Sequence, residues 1–314
     1  MKVLVIQQRM GIGDMVIFLP YIHAISKKMN SSITLLASKN SRADELFKYD
    51  KSIKEILFID RRKDKSGLHD GLKGFFRLAE QLKEKKFEKV FIFNSSLRYF
   101  LLAKFAGIKK INQYPLFRKK DNLVQSAKKF TEKELFENVS TEPYLKLKEN
   151  LQLENKDCKN ICLGISASGP TKRWGIENYI KLCNELQKTI KCKFFVAGGK
   201  QDAELINRLK KSQVKDNFVS FEKFKITETL PYIKNCDLYI GNDTGWLHIS
   251  SALNVKCLAL FMDSPVKAYG KYSKYINIII PEGETEETTT HDTLGSEKIS
   301  FNKVFEKSVD LLIN

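Results

Sequence analysis

The chain has 314 residues, 42% of them hydrophobic and 11% aromatic, enough to bury two ordinary cores or one large one. Its formal net charge is +17, from 54 Lys and Arg against 37 Asp and Glu, which asks for an anionic partner such as nucleic acid, an anionic membrane surface or a phosphorylated substrate. Zinc-finger spacing, an RNA-recognition aromatic signature and a basic heptad helix are all missing, which argues against nucleic acid, and no apolar run approaches the roughly 20 residues of a membrane span.

The opening residues, Met1 to Ile6, are too short an apolar run for a signal peptide, so a cytosolic protein is expected. Residues 2–7 read as a strand that ends at Gln8-Arg9-Met10-Gly11-Ile12-Gly13-Asp14, after which apolar residues recur at helical spacing through Met29. Pro20 lies inside that pattern and should bend the helix unless the helix restarts there. Strands are then expected over 33–37, 53–59 and 89–93, and helices over 41–49, 68–85 and 97–105. Between about residue 112 and residue 156 the pattern weakens into charged, helix-prone segments such as 124–136, with Pro115 and Pro143 as breakers. A second alternating series follows: strands over 161–166, 193–197, 218–221, 238–240 and 256–261, with helices over 176–189, 202–210, 227–235 and from Gly245. The acidic, Thr-rich run 282–290 reads as a solvent loop and 301–313 as a closing helix.

Such alternation implies parallel βαβ units, hence an α/β fold with sheets covered by helices on both faces. The expected division is a domain over residues 1–155, a second over 156–296 and a closing helix within 297–314. Six cysteines, Cys158, Cys162, Cys183, Cys192, Cys236 and Cys257, sit mostly inside apolar runs with no C-x-x-C pair. Reduced packing thiols are expected rather than a metal site. His23, His69 and His291 show no spacing that suggests a metal either.

Three stretches can carry chemistry. In Tyr239-Ile-Gly-Asn-Asp-Thr-Gly-Trp-Leu-His-Ile-Ser-Ser-Ala-Leu253 a strand runs through a tight polar turn into a short helix, a combination that can bind phosphate. The helix end supplies N–H groups, Gly245 leaves room for a ligand, and Thr244 adds a hydroxyl, although a bare structural turn prefers the same residues. Ser166-Ala-Ser-Gly-Pro-Thr-Lys-Arg-Trp174 places Ser168 and Thr171 as hydroxyl donors beside Lys172, which suits an anionic ligand. Trp174 and His248 read more readily as packing residues than as a stacking platform and a base. Gly11-Ile12-Gly13-Asp14 lacks the third glycine of a dinucleotide fingerprint. Asp14 is either a helix N-cap or a carboxylate held at the ligand-binding end of a strand, where it could act as a base.

Taken together, Gly13-Asp14, Lys172-Arg-Trp174 and Asn242-Asp-Thr-Gly-Trp-Leu-His248 followed by Ile-Ser-Ser-Ala-Leu resemble glycosyltransferase family 9, the lipopolysaccharide heptosyltransferases. The resemblance covers nearly the full length, and Asp-Thr-Gly-x-x-His is its most specific part. It implies a GT-B fold of two facing Rossmann-like domains with parallel sheets, the first on the acceptor side and the second binding the nucleotide sugar. It also implies inverting, metal-independent and cofactor-free transfer of a heptose, usually from ADP-heptose, to a lipid-linked lipopolysaccharide core acceptor. By that resemblance Asp14 is the base and Lys172 holds the diphosphate. Ser168, Thr171, Asp243, Thr244, Gly245 and His248 belong to the donor site, and Gly11 and Gly13 to the acceptor-side loop. Asp243 is expected to turn toward a sugar hydroxyl, Lys172 or its own helix N-terminus.

Two departures from the family pattern are visible. Met10, Gly11 and Ile12 replace a serine pair, and the acidic residue that some members set against the ribose would fall near Lys200, with Asp202 two positions on. Other readings are a family relative with a different donor, a nucleotide-sugar epimerase, or a non-catalytic basic surface-binding protein. The charge further suggests reversible docking on the anionic inner membrane through Lys109-Lys110, Arg118-Lys119-Lys120 and Lys128-Lys129.

Overall fold

The first strand, β1 (Val3–Gln7), is buried along its whole length, as an apolar run inside a parallel sheet must be. The computed structural model of the protein describes residues 1–62, 64–115, 122–148, 157–212 and 218–314. β1 leads into α1 (Ile12–Lys28), which runs through Pro20 without restarting. Then follow β2 (Ile33–Ser38) and α2 (Ala43–Leu46), the latter much shorter than the helix expected over 41–49. Its start is set by Arg42, whose left-handed φ of 52° separates it from a 3₁₀ turn over Lys39–Ser41. β3 (Ile53–Ile59), α3 (Gly71–Glu84), β4 (Lys89–Ile92), α4 (Leu97–Phe105), β5 (Lys110–Gln113) and α5 (Leu123–Leu135) complete this unit. Its strands are parallel in the order β3-β2-β1-β4-β5. Phe75, Leu78 and Leu82 from α3 and Tyr99 and Leu102 from α4 pack on Leu4, Ile6 and Leu36.

The second unit contains β6 (Lys159–Gly164), α6 (Ile176–Thr189), β7 (Cys192–Ala197), α7 (Ala203–Lys210), β8 (Phe218–Ser220), α8 (Ile226–Lys234) and β9 (Leu238–Asn242). It continues with α9 (Gly245–Ala252), β10 (Lys256–Leu260), α10 (Val266–Tyr269), β11 (Ile276–Ile279) and α11 (Phe301–Ile313). Its parallel sheet runs β11-β10-β9-β6-β7-β8. β5 and β11, which the sequence pattern did not reveal, are four-residue edge strands whose residues are mostly half-buried or exposed, so neither shows a full apolar run. α11 buries Val304 and Leu312 in the core that holds Ile161, Leu163 and Trp174.

Contacts divide the chain into units Met1–Lys146 and Leu147–Asn314, while residue 155, where a junction was expected, lies outside the described residues. The run 282–290 is largely exposed, but Lys267 and Lys271 of the α10 region pair with Glu287 and Glu286, and Thr289 is fully buried. The described cysteines are all free, and burial pushes the Cys183, Cys236 and Cys257 thiols well up and Cys192 to about 12, as suits packing groups. Among the described residues no His, Cys, Asp and Glu cluster could hold a metal, and no helix is long and apolar enough to cross a membrane.

Candidate active site

In each sheet the strand order reverses beside the first strand of its unit, between β1 and β4 and between β6 and β9. Open α/β sheets bind ligands just beyond the carboxyl ends of strands at such a reversal. In the second unit Gly164 on β6 pairs with Gly241 on β9, and a Cβ built at Gly241 would lie 2.6 Å from the Gly164 Cα. The two strands can therefore run this close only with glycine there.

Asn242, the last residue of β9, is fully buried and braces three segments at once. Its side-chain amide donates to the Ile165 and Ser166 carbonyls at 3.1 and 3.2 Å, and its Oδ1 accepts from the Trp174 N–H at 3.2 Å and the Tyr179 hydroxyl at 3.0 Å. A single amide thereby fixes the loop after β6 against the turn after β9. Trp174 is 2% exposed, meets Tyr179 edge-on and stacks on Phe301, so it is a core residue.

Beyond Asn242 the chain turns into α9, with Thr244 at its N-cap position in extended conformation. The first N–H groups of α9, from Gly245 onward, have no carbonyl partner inside the helix. The Thr244 Oγ1 is buried and lacks a well-formed hydrogen bond among the described residues. The Asp243 carboxylate is held by two side chains. Its Oδ2 accepts from the Ser264 hydroxyl at 2.6 Å, and its Oδ1 lies 3.4 Å from the Nε2 of His248, whose Nδ1 is 2.7 Å from the Tyr272 hydroxyl. His248 is 3% exposed, so it supports the turn from within.

The loop after β6 carries Lys172 in a 3₁₀ turn, Pro170–Lys172. The neighbouring Thr171 hydroxyl, expected to face an anion, donates instead to Asp263 Oδ2 at 2.6 Å, while Asp263 Oδ1 accepts from the Leu294 N–H at 3.2 Å. Burial raises the Asp263 carboxyl, but these hydrogen bonds and the charge of Lys172 outweigh it and hold the group below its usual range. The Lys172 side chain forms no ion pair or hydrogen bond among the described residues, and Ser168 is exposed with its hydroxyl unpaired among them. Asp202 is fully buried: its Oδ2 accepts from the Gly199 N–H at 2.9 Å and its Oδ1 lies 3.7 Å from Arg173. That carboxylate is committed inside the protein, and Lys200 occupies the position where an acidic ribose contact was sought.

In the first unit Asp14 lies in the opening turn of α1, whose N-cap is Gly11 rather than Asp14. The Asp14 side chain makes no cap hydrogen bond; its Oδ1 accepts from Arg9 Nε at 2.9 Å, and it keeps 18% exposure. A Cβ at Gly11 would sit 2.9 Å from Asp14 Oδ2, so the glycine leaves the carboxylate its space. Gly13 is buried in the same turn. Arg9, Asp263 and Ser264 had escaped the sequence reading. Arg9 reads there as one more surface cation, and the other two lie in an ordinary strand-end loop, with Asp263 92 positions from Thr171.

The site of the second unit lies within a segment that known proteins share, whereas the loop around Asp14 precedes it. The profile of glycosyltransferase family 9 (heptosyltransferase) matches residues 75–297, well over half of the chain. A stretch of 151 residues is 30% identical to lipopolysaccharide heptosyltransferase 1 of Campylobacter coli, covering 46% of this chain and 43% of that relative. The match thus spans less than half the length of that curated relative. Among solved structures, a family 9 glycosyl transferase from Veillonella parvula superposes with a TM-score of 0.77 at 19% identity over 99% of this chain and 97% of that one. ADP-heptose lps heptosyltransferase II of E. coli gives 0.73 at 20% identity over 100% and 99%. The two parallel α/β units are accordingly those of a GT-B fold. With a family profile running from α3 of the first unit to the approach to the closing helix, the chain belongs to glycosyltransferase family 9, the heptosyltransferase family.

Proposed function

We propose that the protein transfers a heptose, or a related sugar, with inversion from ADP-heptose to a lipid-linked lipopolysaccharide core acceptor, without a metal ion. The observation that carries this reading is the arrangement beyond β6 and β9: an unpaired Lys172, a buried Thr244 hydroxyl and the start of α9, each able to meet a diphosphate. Support for the donor and acceptor comes from the family and from relatives whose names specify lipopolysaccharide and ADP-heptose.

In this mechanism the acceptor hydroxyl oxygen attacks the anomeric carbon as the bond from that carbon to the diphosphate oxygen breaks. The proton passes to the Asp14 carboxylate, and ADP leaves with the bonding electron pair. Lys172, Thr244 and the first N–H groups of α9 stabilise the charge that develops on the leaving group, the service a divalent ion would otherwise give. Asp243, held by Ser264 and His248, acts by fixing the turn. The site residues of the family resemblance keep these roles: Ser168 and Thr171 border the diphosphate loop, and Gly11 and Gly13 shape the loop around Asp14. Domains over 1–155 and 156–296 with a closing helix would divide acceptor from donor binding, in a cytoplasmic protein that docks on the inner membrane.

The direct test incubates the purified protein with ADP-heptose, with and without core lipid, and follows ADP release together with the anomeric configuration of the product. Acceptor-dependent ADP release with inverted product, unchanged by EDTA, is the expected result. Interconversion of free nucleotide sugars without acceptor would instead establish an epimerase, and strict dependence on magnesium or manganese would overturn the metal-free mechanism.

A further inference from the structure

The outer surfaces of α3 and α4 carry an apolar stripe that a core cannot explain. On α3, Leu72 and Phe76 are 77% and 50% exposed, with Leu68 four residues earlier at 51%. On α4, Leu97, Leu101 and Phe105 repeat the same step at 53%, 39% and 54%. A four-residue step puts Leu72 with Phe76, and Leu97 with Leu101 and Phe105, on one side of each helix, while Phe75, Leu78, Leu82, Tyr99 and Leu102 fill the side toward the sheet. The stripes join where the Phe76 and Phe105 rings meet edge-on, centroids 5.4 Å apart. A groove of about 560 Å³ lies at that junction and is lined by Phe76, Phe105, the cations Lys73, Arg77 and Lys83 and the single acid Glu80.

We infer that this face lies in the interfacial layer of an anionic lipid bilayer, its leucines and phenylalanines among the acyl chains and its cations among the headgroups. Single exposed apolar residues need no explanation, but five in two helical rows form a patch that does. The choice of partner rests on the cations around it. Lys73, Arg77, Lys83 and Lys104 are exposed and form no ion pair among the described residues, against Glu80 and Glu84 on the same two helices. Long basic stems beside apolar side chains are the pattern of a surface that settles at a membrane interface, where stems lie along the hydrocarbon and charges reach the phosphates. A second copy of the chain fits worse. A twofold contact would bring the same unpaired lysines and arginine against their own counterparts, with too few acids to neutralise them.

None of these residues has a role in the proposed chemistry, and the test of this surface needs no transfer. The protein is sedimented with vesicles of phosphatidylcholine alone and of phosphatidylcholine with about one third phosphatidylglycerol. Wild type should partition to the anionic vesicles. The triple variant Leu72→Ser, Phe76→Ser and Leu101→Ser should lose that partition by about tenfold or more, with ADP binding unchanged. Wild-type partition in the triple variant would overturn the inference and leave binding to the dispersed lysines alone. So would a wild-type dimer in analytical ultracentrifugation that the triple variant converts to monomer, or absence of wild-type binding to either vesicle. Should the triple variant misfold, Leu72→Trp decides: its emission shifts to the blue with anionic vesicles if the face inserts, and an unchanged spectrum refutes insertion.

Discussion

The loop after β1 and the turn after β9 each border the strand-order reversal of their sheet, yet they are built in opposite ways. Behind α9 the two residues before the N-cap are tied: Asn242 makes four hydrogen bonds, and Asp243 lies between Ser264 and His248, which continues to Tyr272. Ahead of α1, the Asp14 carboxylate has a single described partner, Arg9, whose side chain is 40% exposed. The contrast matches two chemical tasks. A diphosphate site works best when its donors are fixed before charge develops, since no energy is then spent on reorienting them during reaction. A base must accept and release a proton in each turnover, which a carboxylate bound by several buried donors does poorly.

The largest effect should come from the lightly held side. Asp14→Asn keeps the shape and the helix start but removes the proton acceptor, so kcat should fall by about two to four orders of magnitude while ADP affinity stays unchanged. Steady-state kinetics beside calorimetry on the same preparation tests both halves. A normal kcat in a folded variant would make Asp14 a structural partner of Arg9 and erase the contrast.

On the braced side, the largest response should be in stability. Asn242→Ala strands the Trp174 N–H and the Ile165 and Ser166 carbonyls in a buried setting, at a cost of about 2–4 kcal/mol, because each unpaired buried group keeps its desolvation penalty. Urea unfolding of the whole chain measures this. A loss below about 1 kcal/mol would mean that the turn does not depend on its amide brace.

Much of this contrast was legible in the sequence, and the illegible part has a physical cause. The turn residues Asn242 to Gly245 declare themselves because strand, turn and helix are contiguous, and β1 declares itself because both faces of its sheet are covered. Edge strands β5 and β11 pair on one side only and stay partly exposed, so no run of apolar residues marks them. Asp263 and Ser264 are invisible for another reason. Their partners, Thr171 and Asp243, are brought to them by the order of strands in the sheet, which local pattern does not encode. The N-cap reading of Asp14 matches one residue type to a common position, whereas the helix begins earlier, at Ile12 with Gly11 as its N-cap.

A smaller effect, on binding rather than folding, should follow Lys172→Ala. Losing one charge-assisted contact to the diphosphate should weaken ADP by about ten- to a hundredfold, with little change in unfolding midpoint, since Lys172 forms no ion pair within the described residues. Calorimetric titration with ADP reads this directly. Unchanged affinity would move the diphosphate away from the loop after β6 and leave Thr244 and α9 to hold it alone.

The smallest effect concerns how that loop is anchored. Asp263 accepts hydrogen bonds from Thr171 and Leu294, and with Lys172 nearby its carboxyl is held below the usual range although burial opposes this. A carboxyl whose folded pKa is depressed adds stability that is present above its unfolded value, about 3.9, and is lost as pH falls through the folded one. Asp263→Asn removes the charge and with it this pH-dependent share. At pH 7 the variant should unfold about 1 kcal/mol more easily than wild type, the scale of one hydrogen-bonded contact. The gap should shrink as both are acidified below about pH 4, because wild type then loses what the variant never had. Urea midpoints for the two proteins from pH 7 down to pH 3 provide the comparison. A gap that stays constant over that range would assign the loss to packing alone, and would place the loop around Lys172 with the lightly held carboxylate of the first unit rather than with the braced turn beside it.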